Sequence, residues 1–223
     1  MEGFRIRSAF ERASPECLTR LAALPVANVS DCMGRMNAGP SGLRPYHRGG
    51  AMCGPALTVR SRPGDNLMLH KAIDMAQPGD VIVCDSGGDL TNAIMGELML
   101  AHARQRQVGG FVIHGAIRDV DAIGAQDLPV FAMGVTHRGP YKDGPGEIGF
   151  AVSLGGMVIA PGDVVMGDAD GVLALPAATA SEIAARAEAK RGAEAAQMDR
   201  TLAGTLDRSW VDKALKDRGC AFL

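Results

Sequence analysis

The chain has 223 residues, of which 47% are hydrophobic and 22% charged, and its formal net charge is −2. Such a chain can bury one large core and has the balance of an ordinary globular protein. It has no basic field to draw in a polyanion, and with 4% aromatic residues it is too poor in rings for base-stacking platforms, so nucleic-acid binding is disfavoured.

The five cysteines, Cys17, Cys32, Cys53, Cys84 and Cys220, are scattered without a C-x-x-C pair. That pattern predicts free thiols in a reducing cytosol. The opening residues carry charges throughout and lack the apolar stretch of a signal peptide, and no run of about 18 apolar residues occurs to span a membrane. The expectation is a cytoplasmic protein.

In chain order, Ser14-Pro15-Glu16 predicts a capped helix over 14–24. Residues 26–34 predict a second, weaker helix with Asn28 or Ser30 as cap. A Gly/Pro-rich loop covers 37–50. Residues 51–61 predict a strand interrupted by Gly54-Pro55, which suits an edge or a bulge. Pro63-Gly64 then turns the chain, and Asp65 or Asn66 caps a helix carrying Leu67, Leu69, Ile73 and Met75. VIVCD (81–85), FVIHG (111–115) and LPVFAM (128–133) predict buried strands, separated by helices over 93–107 and 118–126. This alternation predicts an α/β arrangement with parallel pairs.

Residues 136–150 predict an exposed loop that closes a pocket or serves an interface. Residues 151–176 predict antiparallel hairpins. Pro78-Gly79-Asp80 and Pro161-Gly162-Asp163 each precede a valine-rich strand, an echo read as shared turn chemistry. Residues 178–200 and 206–215 predict helices. No linker divides the chain. The expectation is one domain over 1–223, with its core at about 15–180 and a C-terminal helical arm over about 178–223.

Gly96 to Asp121 draws the chemistry together. A helix followed by a parallel strand runs out and back, so Glu97 at one end can meet Arg118-Asp119 at the other. Arginine suits a bidentate grip on a carboxylate, and aspartate suits Mg²⁺ or Mn²⁺ as a hard oxygen ligand. On these residues alone, a plain helix cap is the simpler reading. Gly96 allows close backbone approach, and open N–H groups at a helix start bind anions. Asn66 and His70 share a helix face four residues apart, and with Asp65 they can reach a polar ligand or serve as a cap and a surface histidine. His102 and His114 lack histidine partners at metal-binding spacing, so zinc is not indicated.

The blocks PGDNLMLH (63–70), PGDVIV (78–83), GELML (96–100), GGFVIHGAIRDVDAI (109–123) and PGDVVMGDADGVLALP (161–176) resemble the RraA-like family. That family includes 4-hydroxy-4-methyl-2-oxoglutarate/4-carboxy-4-hydroxy-2-oxoadipate aldolases and regulators of ribonuclease E activity; some members carry an older label as demethylmenaquinone methyltransferases. An acidic residue, twenty intervening residues and then Arg-Asp is the family's specific spacing, and Glu97 to Arg118 fits it.

The resemblance implies a β-rich swivelling-type (β/β/α) domain with a mixed sheet, assembled as a homotrimer or homohexamer. It implies a class II pyruvate aldolase that uses Mg²⁺ or Mn²⁺ on an oxo-dicarboxylate or tricarboxylate, with oxaloacetate decarboxylase activity. Asp119 would ligate the metal, and Arg118 would hold the pyruvate-end carboxylate. Gly96, Glu97, Leu98 and Met99 would line the substrate, with the N–H groups of Leu98 and Met99 pointing at it. Asn66 and His70 would face the pocket. Glu97 stands where many members have Asp. Glu188 and Glu194 are candidates for an acidic residue that reaches a neighbouring subunit's site. The alternative is a non-catalytic regulator that binds a ribonuclease or another protein.

Overall fold

The computed structural model describes residues 2–222. In chain order the elements are β1 (Phe4–Ile6), α1 (Pro15–Ala22), α2 (Val26–Cys32), β2 (Arg44–Pro45), β3 (Met52–Ser61), α3 (Leu67–Met75), β4 (Val81–Asp85), β5 (Ala93–Met95), α4 (Glu97–Gln105), β6 (Gly110–Ile117), α5 (Val120–Gly124), β7 (Val130–Val135), β8 (Gly146–Ile148), β9 (Val152–Leu154), β10 (Met157–Ile159), β11 (Val164–Asp168), β12 (Gly171–Leu175), α6 (Ala180–Leu202) and α7 (Ser209–Asp217). One compact unit extends through Ala187, and a second begins at Glu188.

In the first unit, strands lie in the order β1-β8-β3-β4-β6-β7-β2; β11 joins β3 and pairs with β12, and β5 lies beside β6. The β3–β4, β4–β6 and β6–β7 pairs are parallel, as the strand–helix alternation predicts. β9–β10 and β11–β12 are antiparallel hairpins, also as predicted. The central strands are continuous apolar runs because both faces are covered. On one face Ile82, Phe111 and Ile113 pack with Leu69, Ile73, Leu100 and Ile123 from α3, α4 and α5. On the other, Val83 and Val112 pack with Leu154, Met157 and Ile159 of the β9–β10 hairpin. A third cluster joins α1, α2 and the first turns of α6 to β11 and β12. The result is a mixed α/β protein with a large mixed sheet. No helix among the described residues is long and apolar enough to cross a membrane.

Several local expectations hold in detail. Ser14 caps α1, its side chain accepting from the Cys17 N–H at 3.2 Å. The two Pro-Gly-Asp turns share one chemistry. Asp80 accepts from the Gln77 N–H at 2.9 Å, and Asp163 from the Ala160 N–H at 2.8 Å, with glycine at φ 86 in both turns.

Other expectations are corrected. α2 begins at Val26, ahead of Asn28 and Ser30, and its first N–H is capped from outside by Asp168 Oδ2 at 2.9 Å. β3 is unbroken and is central from Ala56 onward, while its first residues, Met52–Pro55, pair only with β11, so Pro55 sits at a local edge as predicted. β4 begins opposite Ala56, so the missing N–H of Pro55 leaves no strand bond unmade. Gly54 is needed because a Cβ there would lie 2.4 Å from the Gly79 carbonyl oxygen. The helix predicted over 93–107 starts at Glu97, and Ala93–Met95 instead extend the sheet beside Ala116 and Ile117.

β1 has no counterpart in the expectations. Its three residues are exposed, so no periodicity marks them. It is held by Glu147, only 3% exposed, whose carboxylate accepts from the Arg5 guanidinium at 2.7 Å, from the Gly3 N–H at 3.1 Å and from Arg60. Burial pushes the Glu147 carboxyl up, but these donors outweigh it and hold it below the ordinary glutamate range.

In the second unit, α6 continues as an exposed Ala/Glu/Lys/Arg helix and α7 carries Trp210 on a surface position.

Glu147→Gln is expected to lower stability by about 1.5–3 kcal/mol, the range for hydrogen bonds to charged groups. Because the folded pKa is depressed, the difference from wild type should be complete above the unfolded carboxyl value near 4.3 and should vanish as pH falls through the lower folded value. Urea denaturation of both proteins across pH 3–7 measures this, and a gap that persists at the acid end contradicts it.

Candidate active site

The site lies where β6 ends and α4 begins. β5 brings Gly96 alongside the end of β6, and the Arg118 N–H bonds the Met95 carbonyl at 2.9 Å. This is the carboxyl end of the parallel strands, where α/β folds gather their ligand sites.

Asp119 sits in the left-handed region at φ 59, ψ 40, at the N-cap position of α5, but its side chain does not cap that helix. It turns instead to α4, where its Oδ2 accepts from the Glu97 N–H at 2.9 Å. Arg118 Nε lies 3.6 Å from the same oxygen. Gly96 makes this approach possible, because a Cβ on it would stand 2.4 Å from Asp119 Oδ2 and 3.1 Å from Arg118 Cγ. The plain-cap reading of Arg118-Asp119 therefore fails in its details, and Gly96, Arg118 and Asp119 form one contact group.

These three residues line a cavity of about 110 Å³ together with Asn66, His70, Leu98, Met99, Pro140 and Lys142. Of the predicted substrate and metal residues, Gly96, Leu98, Met99, Arg118, Asp119, Asn66 and His70 contribute to this wall and Glu97 does not. Glu97 is exposed on the first turn of α4 and offers its backbone N–H to Asp119. The expected pair of open backbone donors is reduced to one. The Met99 N–H bonds the Gly96 carbonyl at 3.1 Å, while that of Leu98 has no acceptor among the described residues. The Leu98 side chain is 83% exposed at the rim. Val135, Thr136 and His137 flank Arg118 and Asp119 in a second, more open hollow.

Asn66 is 3% exposed; its Nδ2 donates to the Ile94 carbonyl at 3.0 Å, and its Oδ1 is buried without a partner. His70 has its pKa lowered, first by burial and then by the charge of Lys142, with Asp74 opposing and His102 adding. Asp65 does not face a ligand. It is fully buried and accepts from the N–H groups of Leu67, Asp143 and Gly144 at 2.9, 2.7 and 2.9 Å. It thereby ties the 136–145 loop to the start of α3, and that loop delivers Pro140 and Lys142. Neither residue stands out in the sequence, since a Gly/Pro-rich loop carries no periodicity; the available signal is Asp65, two residues before α3, which the sequence offers as a cap or as a ligand contact.

Other reactive groups are spoken for. His114 Nδ1 pairs with Asp85 Oδ1 at 2.9 Å, on neighbouring strands. Burial pushes the Cys53 thiol up to about 12, with nearby Cys17 adding, so it offers no thiolate. Glu194, in the second unit, pairs with Lys190 at 2.8 Å, and Glu188 belongs to the same helix.

Among the described residues no group of three His, Cys, Asp or Glu side chains gathers. A single hard carboxylate at the wall of a largely apolar cavity does not suit structural zinc. It does fit Mg²⁺ or Mn²⁺, which bind through one or two carboxylates and keep several waters.

The RraA-like family model, described as Aldolase/RraA, matches residues 26–174, and the chain belongs to this family. A Halalkalibacterium halodurans protein named "Putative 4-hydroxy-4-methyl-2-oxoglutarate aldolase" is 37% identical over 186 residues, covering 83% of this chain and 89% of that protein. The solved structure of an uncharacterized protein from Pseudomonas syringae is similar at TM-score 0.80 and 24% identity, over 88% of this chain and 97% of that one, which speaks for the fold alone. Streptomyces coelicolor RraAS2, described as an unusual member of the RNase ES inhibitor RraA family, is similar at TM-score 0.76 and 25% identity, over 83% and 97%.

Gly96→Ala is expected to displace the Asp119 carboxylate while the fold survives. A displacement near 1 Å costs on the order of 100-fold in rate in a preorganised site. Circular dichroism should match wild type, and metal affinity by calorimetry should fall. An alanine variant with wild-type metal affinity would contradict the contact.

Proposed function

We propose that this chain is a divalent-metal-dependent lyase of the class II pyruvate aldolase type. Its substrate is a 4-hydroxy-2-oxo acid such as 4-hydroxy-4-methyl-2-oxoglutarate or 4-carboxy-4-hydroxy-2-oxoadipate. Its products are pyruvate and a second oxo acid, and oxaloacetate decarboxylation accompanies the aldol cleavage. The observation that carries this reading is the contact group of Gly96, Arg118 and Asp119 at the wall of one small cavity.

Asp119 is the residue that would hold Mg²⁺ or Mn²⁺, which when bound supplies Lewis-acid stabilisation of charge growing on the former ketone oxygen. Arg118 binds and orients the pyruvate-end carboxylate, and the open Leu98 N–H adds a neutral donor beside it. Glu97, exposed at the helix start, positions a water that takes the 4-hydroxyl proton. The C3–C4 bond then breaks, the 4-hydroxyl carbon becomes the carbonyl of the second product, and the pyruvate fragment takes up a proton at C3. Loss of CO₂ from oxaloacetate reaches the same fragment, so one charge arrangement serves both reactions. Burial and the Lys142 charge disfavour the charged form of His70, and a neutral imidazole can donate or accept a hydrogen bond without adding charge.

A second reading has a specific support in the likeness to the Streptomyces RNase ES inhibitor family member. On that reading the surface, not the cavity, carries the function.

A pyruvate-release assay over a panel of 4-hydroxy-2-oxo acids and oxaloacetate, with and without chelator, tests the lyase. Turnover that chelator abolishes is expected; no pyruvate from any member of the panel would favour the inhibitor reading. Asp119→Ala should lose metal-dependent turnover with the fold intact. Arg118→Ala should cost about 2–5 kcal/mol in kcat/KM, as for removing one side of a desolvated charge pair. In Glu97→Gln the rate should drop ~10²–10⁴-fold; a rate within a few-fold of wild type moves the proton-transfer role to another group.

A further inference from the structure

We propose that His137 is a second protein ligand to the divalent cation, a nitrogen donor that turns the site from Mg²⁺ toward transition-metal ions. This rests on Asp119 holding that cation, as proposed above, and adds a ligand and a metal preference to that reading.

The sheet register brings His137 to Asp119. Ile117, the last residue of β6, stands opposite Val135, the last of β7, and the two strands are parallel. Arg118-Asp119 and Thr136-His137 therefore leave the sheet side by side, as the first two residues past neighbouring strand ends. The residues on either side of His137 are fixed. The Thr136 N–H bonds the Ile117 carbonyl at 3.1 Å, and the Arg138 carbonyl accepts from the Ala93 N–H at 2.8 Å. His137 is thus held between the end of β6, which leads to Asp119, and the start of β5, which leads to Gly96. Asp119 lines both the cavity and the second hollow, whereas Gly96 lines only the cavity and His137 only the hollow. The Asp119 side chain is the partition between them.

The oxygen turned to Gly96 is already engaged. Asp119 Oδ2 accepts from the Glu97 N–H at 2.9 Å and lies 3.6 Å from Arg118 Nε. Among the described residues Oδ1 has no hydrogen-bond or ion-pair partner, and neither has the exposed His137 imidazole. The other histidines are less free. His47 and His114 are hydrogen-bonded, and His102 Nε2 lies 3.6 Å from Asp74. His70 lines the cavity, but the Lys142 charge on its side disfavours a further positive charge there. Mg²⁺ selects oxygen ligands, whereas imidazole suits first-row transition ions, whose affinities rise from Mn²⁺ to Co²⁺. One carboxylate and one imidazole, completed by water, form a mixed oxygen and nitrogen set that favours Mn²⁺ over Mg²⁺ and Co²⁺ over both.

Electron spin echo envelope modulation on the Mn²⁺-loaded protein reads the ligand directly. Wild type is expected to show coupling to a bound ¹⁴N nucleus, and His137→Gln should lose it while still binding Mn²⁺. Isothermal titration calorimetry reads the preference. His137→Gln should weaken Co²⁺ by about tenfold or more, since even an outer-shell partner of a metal ligand is worth ~10–100-fold, and should leave Mg²⁺ within a few-fold of wild type. Asp119→Ala should lose both ions, with circular dichroism unchanged in each variant. The proposal is overturned if wild type binds no Mn²⁺ or shows no nitrogen coupling, if the coupling survives His137→Gln or Asp119→Ala, or if His137→Gln weakens Co²⁺ and Mg²⁺ equally or neither. Pyruvate release is measured on the same preparations. Nitrogen coupling that depends on His137, without pyruvate release, leaves the ligand standing and removes the lyase reading. Chelator-sensitive pyruvate release without that coupling does the reverse.

Discussion

The site depends on one hydrogen bond, from the Glu97 N–H to Asp119 Oδ2 at 2.9 Å, and on the missing side chain of Gly96 that lets it form. The bond joins the first turn of α4 to Asp119, two residues past the end of β6, so it closes the out-and-back path of the intervening helix and strand. Asp119 adopts a left-handed conformation to make it, which costs an L-residue on the order of 1 kcal/mol. Aspartate tolerates that region better than most residues, and an N–H from a helix start is a favourable partner for a carboxylate. The strain is local, and the surrounding β5–β6 pairing and the Arg118–Met95 bond hold it in place.

The scaffold beneath was largely legible in the sequence. VIVCD, FVIHG and LPVFAM are apolar on successive residues, which is what a strand covered on both faces requires, and they became β4, β6 and β7 in parallel register. The two Pro-Gly-Asp turns were legible because their chemistry is local: a glycine with positive φ and an aspartate that accepts from the residue three before. Arg118-Asp119 stood out for the same kind of reason, as polar residues at the end of an apolar run.

What escaped was non-local. Ala93–Met95 looks helical by composition, yet the three residues complete the sheet beside β6. β1 is exposed and held by Glu147, a residue 142 positions from Arg5, and no window on the sequence joins them. Asp65 reads as a helix cap and does accept from the Leu67 N–H, but two further bonds to Asp143 and Gly144 make it the anchor of the loop that brings Lys142 to the cavity. Each miss is a case where one residue satisfies both a local rule and a distant partner.

The fold alone does not separate a lyase from a ribonuclease inhibitor, because one backbone hosts many functions. The distinction rests on where local rules are broken. A protein-binding surface needs exposed apolar or charged groups; it has no use for a strained aspartate, a buried acceptor without a donor or a lysine held without a counter-ion. Here all three departures, at Asp119, Asn66 and Lys142, face one cavity of about 110 Å³. Departures of this kind are retained where a ligand completes them. A small anion with a hydroxyl group supplies what each lacks: charge for the lysine and a proton donor for the asparagine, with the aspartate left free to bind a cation.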